Sequence, residues 1–396
     1  MSDTMRIGVD IRGLLTGKWS GVEQYTAKLL EHILQLDQHN TYVLFYVSYR
    51  DLPAKFDELM SRAPWLKRDN VEVKTLKWIN FPLLLHALWK PLLWPKIDKI
   101  CGGLDWLWLP SPRLAPVSSR CKVLITFHDL IQELFPGFYA WQSNLWHWQM
   151  SFAYLARWAN KLVAVSQNTK NDLVRLYDLD PGKITVIYEG VDEAYFRALP
   201  PAEKERIKKK FKIDSDFIYY VGSLEPRKNL IGAVRSLNYL RSVKPDQFGK
   251  IRLVISGGKS WLAGPLFAEI KKLHLERQVI ITGPVSEEDK IALLSTAKLF
   301  IFPSWYEGFG LPVLEAMAAG CPVVTSNRSS LPEVADEAAI LVDPARQDEL
   351  NCAVEKILAS SSLAQSLATR GKLQARKFRW AKAAEETLHL FTHHGG

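Results

Sequence analysis

Two carboxylates, Glu307 and Glu315, bracket a glycine-rich turn in the run FPSWYEGFGLPVLEAMAAGCPVV, residues 302–324. The run reads as the end of a strand, a loop, and a helix opening near Leu311, with Pro312 in its first turn and Gly320 at its end. Gly308 and Gly310 remove Cβ atoms where a ligand approaches the backbone. The amides of Phe309, Gly310 and Leu311 lead into a helix N-terminus, a place that binds anions and phosphate above all. Carboxylates are costly beside a bare phosphate but accept hydrogen bonds from hydroxyls. Their expected partners are therefore sugar hydroxyls on either side of a diphosphate. The competing structural reading makes Glu307 a turn residue and Glu315, expected in the first helical turn, a helix-dipole partner worth about 1 kcal/mol at most.

Such a loop must be carried by strands, and short apolar runs alternate with helical patterns along the chain. Residues 6–10, 42–47, 123–127, 161–165 and 184–188 read as strands, with a helix over Gly21–Leu36. Residues 217–221, 251–256, 279–282, 299–302 and 322–325 repeat the pattern. The alternation predicts parallel βαβ units in two similar halves, and the 396-residue length suits two domains. Residues 191–212 hold two prolines and a charge-rich run without strand pattern, and the inter-domain linker is expected there. The expected domains are 1–195 on the acceptor side, 196–378 holding the nucleotide-sugar, and a C-terminal helical segment, 379–396, returning to the first. His128, in ITFHDL, stands at the carboxyl end of strand 123–127, the edge where open α/β sheets bind ligands.

The run Glu307-(seven residues)-Glu315, worded EGFGLPVLEAMAAG, resembles the EX7E signature of family-4 glycosyltransferases. The resemblance extends over the second half and more weakly over the first. It implies a GT-B fold: α/β, two Rossmann-like domains with parallel sheets facing a central cleft. It also implies that Glu307 lies by the donor hexose and Glu315 by the ribose hydroxyls. VGSLEPRKN, residues 221–229, resembles the family loop that supplies cations to the donor diphosphate, which makes Arg227 and Lys228 the clamp. Many relatives carry an arginine directly after the glycine, where this chain has Ser223, and Arg227 is expected to take over that charge. Ser20-Gly21-Val22 resembles the family's glycine loop over the donor phosphates, and His128 matches a histidine facing the donor sugar. The opening VDIRGLLTGKWSGVEQY and the PRKN loop look most like bacterial mannosyltransferases of lipopolysaccharide and capsule assembly, so GDP-mannose is the first donor expected.

Composition narrows the field. The chain is 47% hydrophobic and 23% charged, a folded and soluble balance, with no secretory leader pattern at Met1–Thr16, so a cytoplasmic protein is expected. The four cysteines form no metal-like cluster. The net charge of +9 comes without a nucleic-acid module. Asp178-Leu179-Asp180 and Asp214-Ser215-Asp216 echo a metal-binding Asp-x-Asp but precede strands, and read as turns; neither metal nor cofactor is expected. Gly257-Gly258-Lys259-Ser260 lacks the first glycine of a P-loop. Trp78, Trp89, Trp94, Trp106 and Trp108 in residues 77–110, then Trp141, Trp146, Trp148 and Trp158, mix with lysines as residues at a membrane interface do. Core packing is the competing reading.

The expectation is a metal-independent, retaining hexosyltransferase that moves mannose from GDP-mannose to a growing, lipid-linked surface glycan such as an O-antigen, peripherally on the inner face of the membrane. Its rivals are a nucleotide-sugar epimerase or phosphorylase of the same fold, and a non-catalytic sugar-binding or scaffold protein.

Overall fold

The computed structural model describes residues 4–16, 21–48, 52–77, 94–138, 151–258 and 262–392. They form two compact units. One comprises residues 1–134, 139–190 and 380–396, the other 135–138 and 191–379.

The first unit carries a seven-stranded sheet in the order β3-β2-β1-β4-β5-β6-β7. Its strands are β1 (Arg6–Asp10), β2 (Thr41–Ser48), β3 (Val71–Lys77), β4 (Trp106–Leu109), β5 (Lys122–Phe127), β6 (Lys161–Ala164) and β7 (Ile184–Val186). Every pairing is parallel. The helix Gly21–Leu36 lies on this sheet and packs against the C-terminal helix Trp380–Thr392.

The second unit carries six strands in the order β10-β9-β8-β11-β12-β13, again all parallel. They are β8 (Phe217–Val221), β9 (Arg252–Ser256), β10 (Val279–Gly283), β11 (Leu299–Phe302), β12 (Val323–Ser326) and β13 (Ile340–Val342). Residues 191–212, expected as a linker, fold into this unit. Val191 donates its amide to the Phe378 carbonyl, 3.2 Å away. Arg206 and Lys210, on the helix Pro201–Lys210, both bond Asp289.

In both sheets the strand order reverses, with all strands still parallel, between β1 and β4 and between β8 and β11. At such a switch point the loops leave the strands' carboxyl ends to opposite sides and open a crevice. β8 and β9 come together closely there. Gly257 has φ +144°, and a Cβ on it would stand 1.9 Å from the Gly222 carbonyl oxygen. Only glycine fits.

β4 corrects the reading of the aromatic segment. Trp106 and Trp108 sit on a central strand, 2% and 1% exposed. The Trp106 indole donates to the Phe391 carbonyl at 3.1 Å, and that of Trp108 to Thr126 Oγ1 at 3.2 Å. A fully buried parallel strand is apolar on both faces, which a sequence shows only as an aromatic run. Trp94 is exposed and Trp158 half-buried. Trp78, Trp89, Trp141, Trp146 and Trp148 lie outside the described residues. No helix among the described residues is long and apolar enough to cross a membrane.

Candidate functional site

The donor-side candidates converge at the switch point of the second unit. Arg227 and Lys228 follow β8, and Glu307 follows β11, its hydrogen-bonded neighbour. The loops are stitched by the backbone, since Trp305 donates its amide to the Arg227 carbonyl at 2.8 Å. The glycine loop is pinned from beneath: Ser330 Oγ donates to the carbonyls of Glu307 and Phe309, and the Glu307 amide donates to Ser329 Oγ. Gly310 has φ +111°, and a Cβ there would come within 2.8 Å of Leu331. Its glycine thus serves the turn as well as any ligand. Phe309 packs its ring on Phe378, leaving its backbone to line the loop. Leu311 opens the helix Leu311–Ala318, with Pro312 in the first turn.

Glu307 is the hub. Lys228 Nζ donates to both of its oxygens, at 2.6 and 2.8 Å, and Arg227 Nη1 to Oε2 at 3.0 Å. Arg227 Nε also bonds Glu225 Oε2 at 2.7 Å. Burial alone would raise the Glu307 carboxyl, but Lys228 and Arg227 outweigh it and hold the group below the ordinary glutamate range. Burial, then the neighbouring Arg227, pulls Lys228 below the ordinary lysine range. Two cations and two carboxylates therefore face one another, and an anion entering the loop would compete with Glu307 for both cations. A cavity of about 370 Å³ opens beside the same loop, walled by Leu224, Pro226, Leu230 and Trp305 and edged by Glu225 and Arg235.

Glu315 stands apart from this cluster. It is the fifth residue of its helix, in the second turn rather than the first, so the dipole reading gives way to an ion pair: Lys290 Nζ donates to Glu315 Oε1 at 2.8 Å. Lys290 had no signal in the sequence beyond being a charge in the helix Glu287–Thr296.

Gly21 and His128 belong to the first unit. Gly21 is the exposed first residue of its helix, with open space where a Cβ would point. His128 follows β5 and is engaged through both ring nitrogens. Nε2 lies 2.8 Å from the Pro110 carbonyl, which only accepts, so Nε2 carries a hydrogen. Nδ1 faces Glu189 Oε1 at 3.5 Å. Burial would lower the imidazole, but Glu189 and the Pro110 carbonyl raise it, while burial raises Glu189 itself. Glu189, a carboxylate just beyond β7, was legible only as another residue at a strand's carboxyl edge.

The two Asp-x-Asp runs lie at the opposite edge. Asp180 accepts from the Gly182 amide before β7, and Asp214 pairs with Arg252 before β8.

Two family models match the chain: glycosyltransferase family 4 over residues 19–195, and glycosyl transferases group 1 over residues 202–374. The O-antigen chain mannosyltransferase B of Escherichia coli is 28% identical over 271 residues, 68% of this chain and 70% of that protein. The serotype-specific mannosyltransferase WbdA of the same organism is 29% identical over 68% of this chain but only 33% of its own length. Among solved structures, Anabaena HepE in complex with UDP and glucose aligns over 98% of this chain and 100% of its own, with a TM-score of 0.75 at 18% identity. WaaG, a glycosyltransferase involved in lipopolysaccharide biosynthesis, aligns with a TM-score of 0.71 at 16% identity, over 98% of this chain and 100% of its own. With both halves matched in order and both sheets of this topology, the chain belongs to the family-4 glycosyltransferases of GT-B fold and is a glycosyltransferase of glycan synthesis.

Proposed function

We propose that the chain is a retaining hexosyltransferase that uses GDP-mannose, holds its diphosphate with Arg227 and Lys228, and extends a lipid-linked surface glycan at the cytoplasmic face of the membrane. The observation that carries this reading is the cation pair at the switch point of the second unit, bound to Glu307 in a loop that ends at a helix N-terminus. Breaking the anomeric bond leaves a nucleoside diphosphate, and fixed cations stabilise its charge as it develops. The acceptor hydroxyl forms its bond to the anomeric carbon on the face the diphosphate leaves, and its proton passes to a departing phosphate oxygen. Positioning and electrostatics suffice for this step, with Glu307 beside the donor hexose and Glu315 at the ribose. His128 Nε2 must exchange the Pro110 carbonyl for a sugar hydroxyl to take part. Similarity to the O-antigen mannosyltransferases supports mannose as the sugar and a glycan as the acceptor.

Thermal stabilisation by GDP, UDP, ADP, CDP and dTDP, with EDTA present, tests the donor. GDP raising Tm above the others supports the reading; UDP doing so moves the donor to a UDP-sugar, and no rise with any of them overturns the donor site. Transfer of labelled mannose from GDP-mannose to a lipid-extracted acceptor then tests the acceptor.

A further inference from the structure

Lys290 is a charged side chain buried in the donor half, and no donor role has been assigned to it; its side chain is 11% exposed. Three groups hold its ammonium. Nζ donates to Glu315 Oε1 at 2.8 Å and to Glu287 Oε2 at 3.1 Å, and it stands 5.4 Å from the centroid of the Tyr195 ring. Tyr195 in turn donates its hydroxyl to the other oxygen of Glu287. The ammonium is thus fixed in place, and one oxygen of Glu315 is fixed with it.

A buried carboxyl left to itself takes up a proton and then donates from one oxygen. Burial, with Glu287 adding to it, pushes Glu315 in that direction and leaves its carboxyl above the ordinary glutamate range, while Lys290 opposes the shift. Lys290 itself is held protonated, because the two carboxylates outweigh the cost of burying it. Lys290 takes one acceptor position of Glu315 and the Tyr195 hydroxyl bears on the same carboxyl; a carboxylate has about four such positions, so two remain for the hydrogen bonds of a vicinal diol. One ammonium against two carboxylates leaves the cluster negative, which suits neutral hydroxyls and repels phosphate.

We propose that Lys290 is a positioning residue for donor recognition: by clamping Glu315 Oε1 it aims the carboxylate at the 2′- and 3′-hydroxyls of the nucleotide ribose. This rests on the reading of Glu315 as the ribose acceptor. A merely structural lysine would affect stability and would weaken all nucleotides alike.

The test compares calorimetric dissociation constants of GDP and UDP with those of their 2′,3′-dideoxy analogues, for the wild type, Lys290→Met, Lys290→Arg and Glu315→Gln. Hydrogen bonds to a charged acceptor predict that the wild type binds the ribonucleotide about tenfold or more tighter than its dideoxy analogue. Lys290→Met is expected to bring that ratio within about threefold by weakening only the ribonucleotide, and Lys290→Arg to restore most of it. In the Glu315→Gln background, Lys290→Met should change the ratio no further. A ratio that survives in Lys290→Met overturns the proposal while leaving Glu315 in place. Equal weakening of both nucleotides overturns it in favour of a direct phosphate contact or a structural role. A wild type without discrimination removes the ribose reading of Glu315, and the proposal with it; failure of GDP and UDP to bind at all removes the donor site itself.

Discussion

Glu307→Gln separates the two duties of the hub residue. The substitution keeps the side chain's shape and deletes a charge that lies 2.6 Å from Lys228 Nζ and 3.0 Å from Arg227 Nη1. Arg227 and Lys228 now face Glu225 alone, so the cluster passes from neutral to a net charge of one positive unit. Two unit charges about 5 Å apart interact by about 3 kcal/mol at an effective dielectric near 20, and water returning to the loop removes part of this. GDP should therefore bind Glu307→Gln at least as tightly as the wild type, by up to about tenfold at low salt, with the gain shrinking at high salt. The fold should lose about 3 kcal/mol, because the buried Lys228 is left without its counter-ion. Turnover with GDP-mannose should fall severely. Calorimetry with GDP in EDTA at two salt concentrations, alongside urea unfolding, measures both effects. Weaker GDP binding by a protein that the urea curve shows to be folded would refute the argument, since it would make the carboxylate a nucleotide ligand rather than a competitor. Stability against pH gives a further check. The Glu307 carboxyl is held below its ordinary range, so its contribution is present above the unfolded value of about 4.3 and is lost as pH falls through the depressed folded one. Glu307→Gln should lack that acid limb.

Three further outcomes test the fold beneath the site. Gly257→Ala places a Cβ 1.9 Å from the Gly222 carbonyl on a backbone at φ +144°, and should cost more than about 3 kcal/mol in urea unfolding or abolish soluble expression. Asp37 accepts from Tyr42 Oη at 2.6 Å, Asn40 Nδ2 at 2.7 Å and the amides of His39 and Asn40; Asp37→Asn turns a donor toward these donors and should cost about 2 kcal/mol at neutral pH. The Tyr42 and Asn40 bonds overcome burial and hold the Asp37 carboxyl below its ordinary range, so the difference between wild type and Asp37→Asn should shrink as pH falls below about 4. Trp108→Phe empties part of a core site and removes one of the partners of Thr126 Oγ1, leaving Tyr25 Oη at 3.3 Å; it should cost about 2 kcal/mol and leave vesicle co-sedimentation unchanged, and altered vesicle binding would return this residue to the membrane surface.

Legibility followed how each element is buried. β8 and β11 are runs of apolar, mostly β-branched and aromatic residues and β1 is a shorter Ile-Gly-Val core, and the sequence marks all three with the bounds the structure shows. β3 is an edge strand, VEVKTLK, paired on one side only, and its half-polar run is not among the strands the apolar runs mark. β4 failed for the opposite reason: WLWL is apolar on both faces because it is central, and tryptophan density alone does not distinguish a core strand from a membrane belt. The same limit governs the site. Eight positions separate Glu307 from Glu315, enough to show that both carboxylates flank one glycine loop, yet the spacing says nothing of what lies opposite. Glu307 ends in the loop after β8, where Arg227 and Lys228 were legible from their own motif. Glu315 ends one helical turn further on, against the helix after β10, where Lys290 sits in no recognisable pattern. One loop and a turn and a half of helix thus send two equivalent-looking glutamates into two separate charge clusters. The first is bound to cations that a diphosphate would compete for, the second to a cation held by Glu287 and Tyr195 within its own cluster. That difference is visible only once the strand order places β8 and β10 on the same side of β11, and on the reading proposed above it would divide phosphate chemistry from hydroxyl recognition along a single motif.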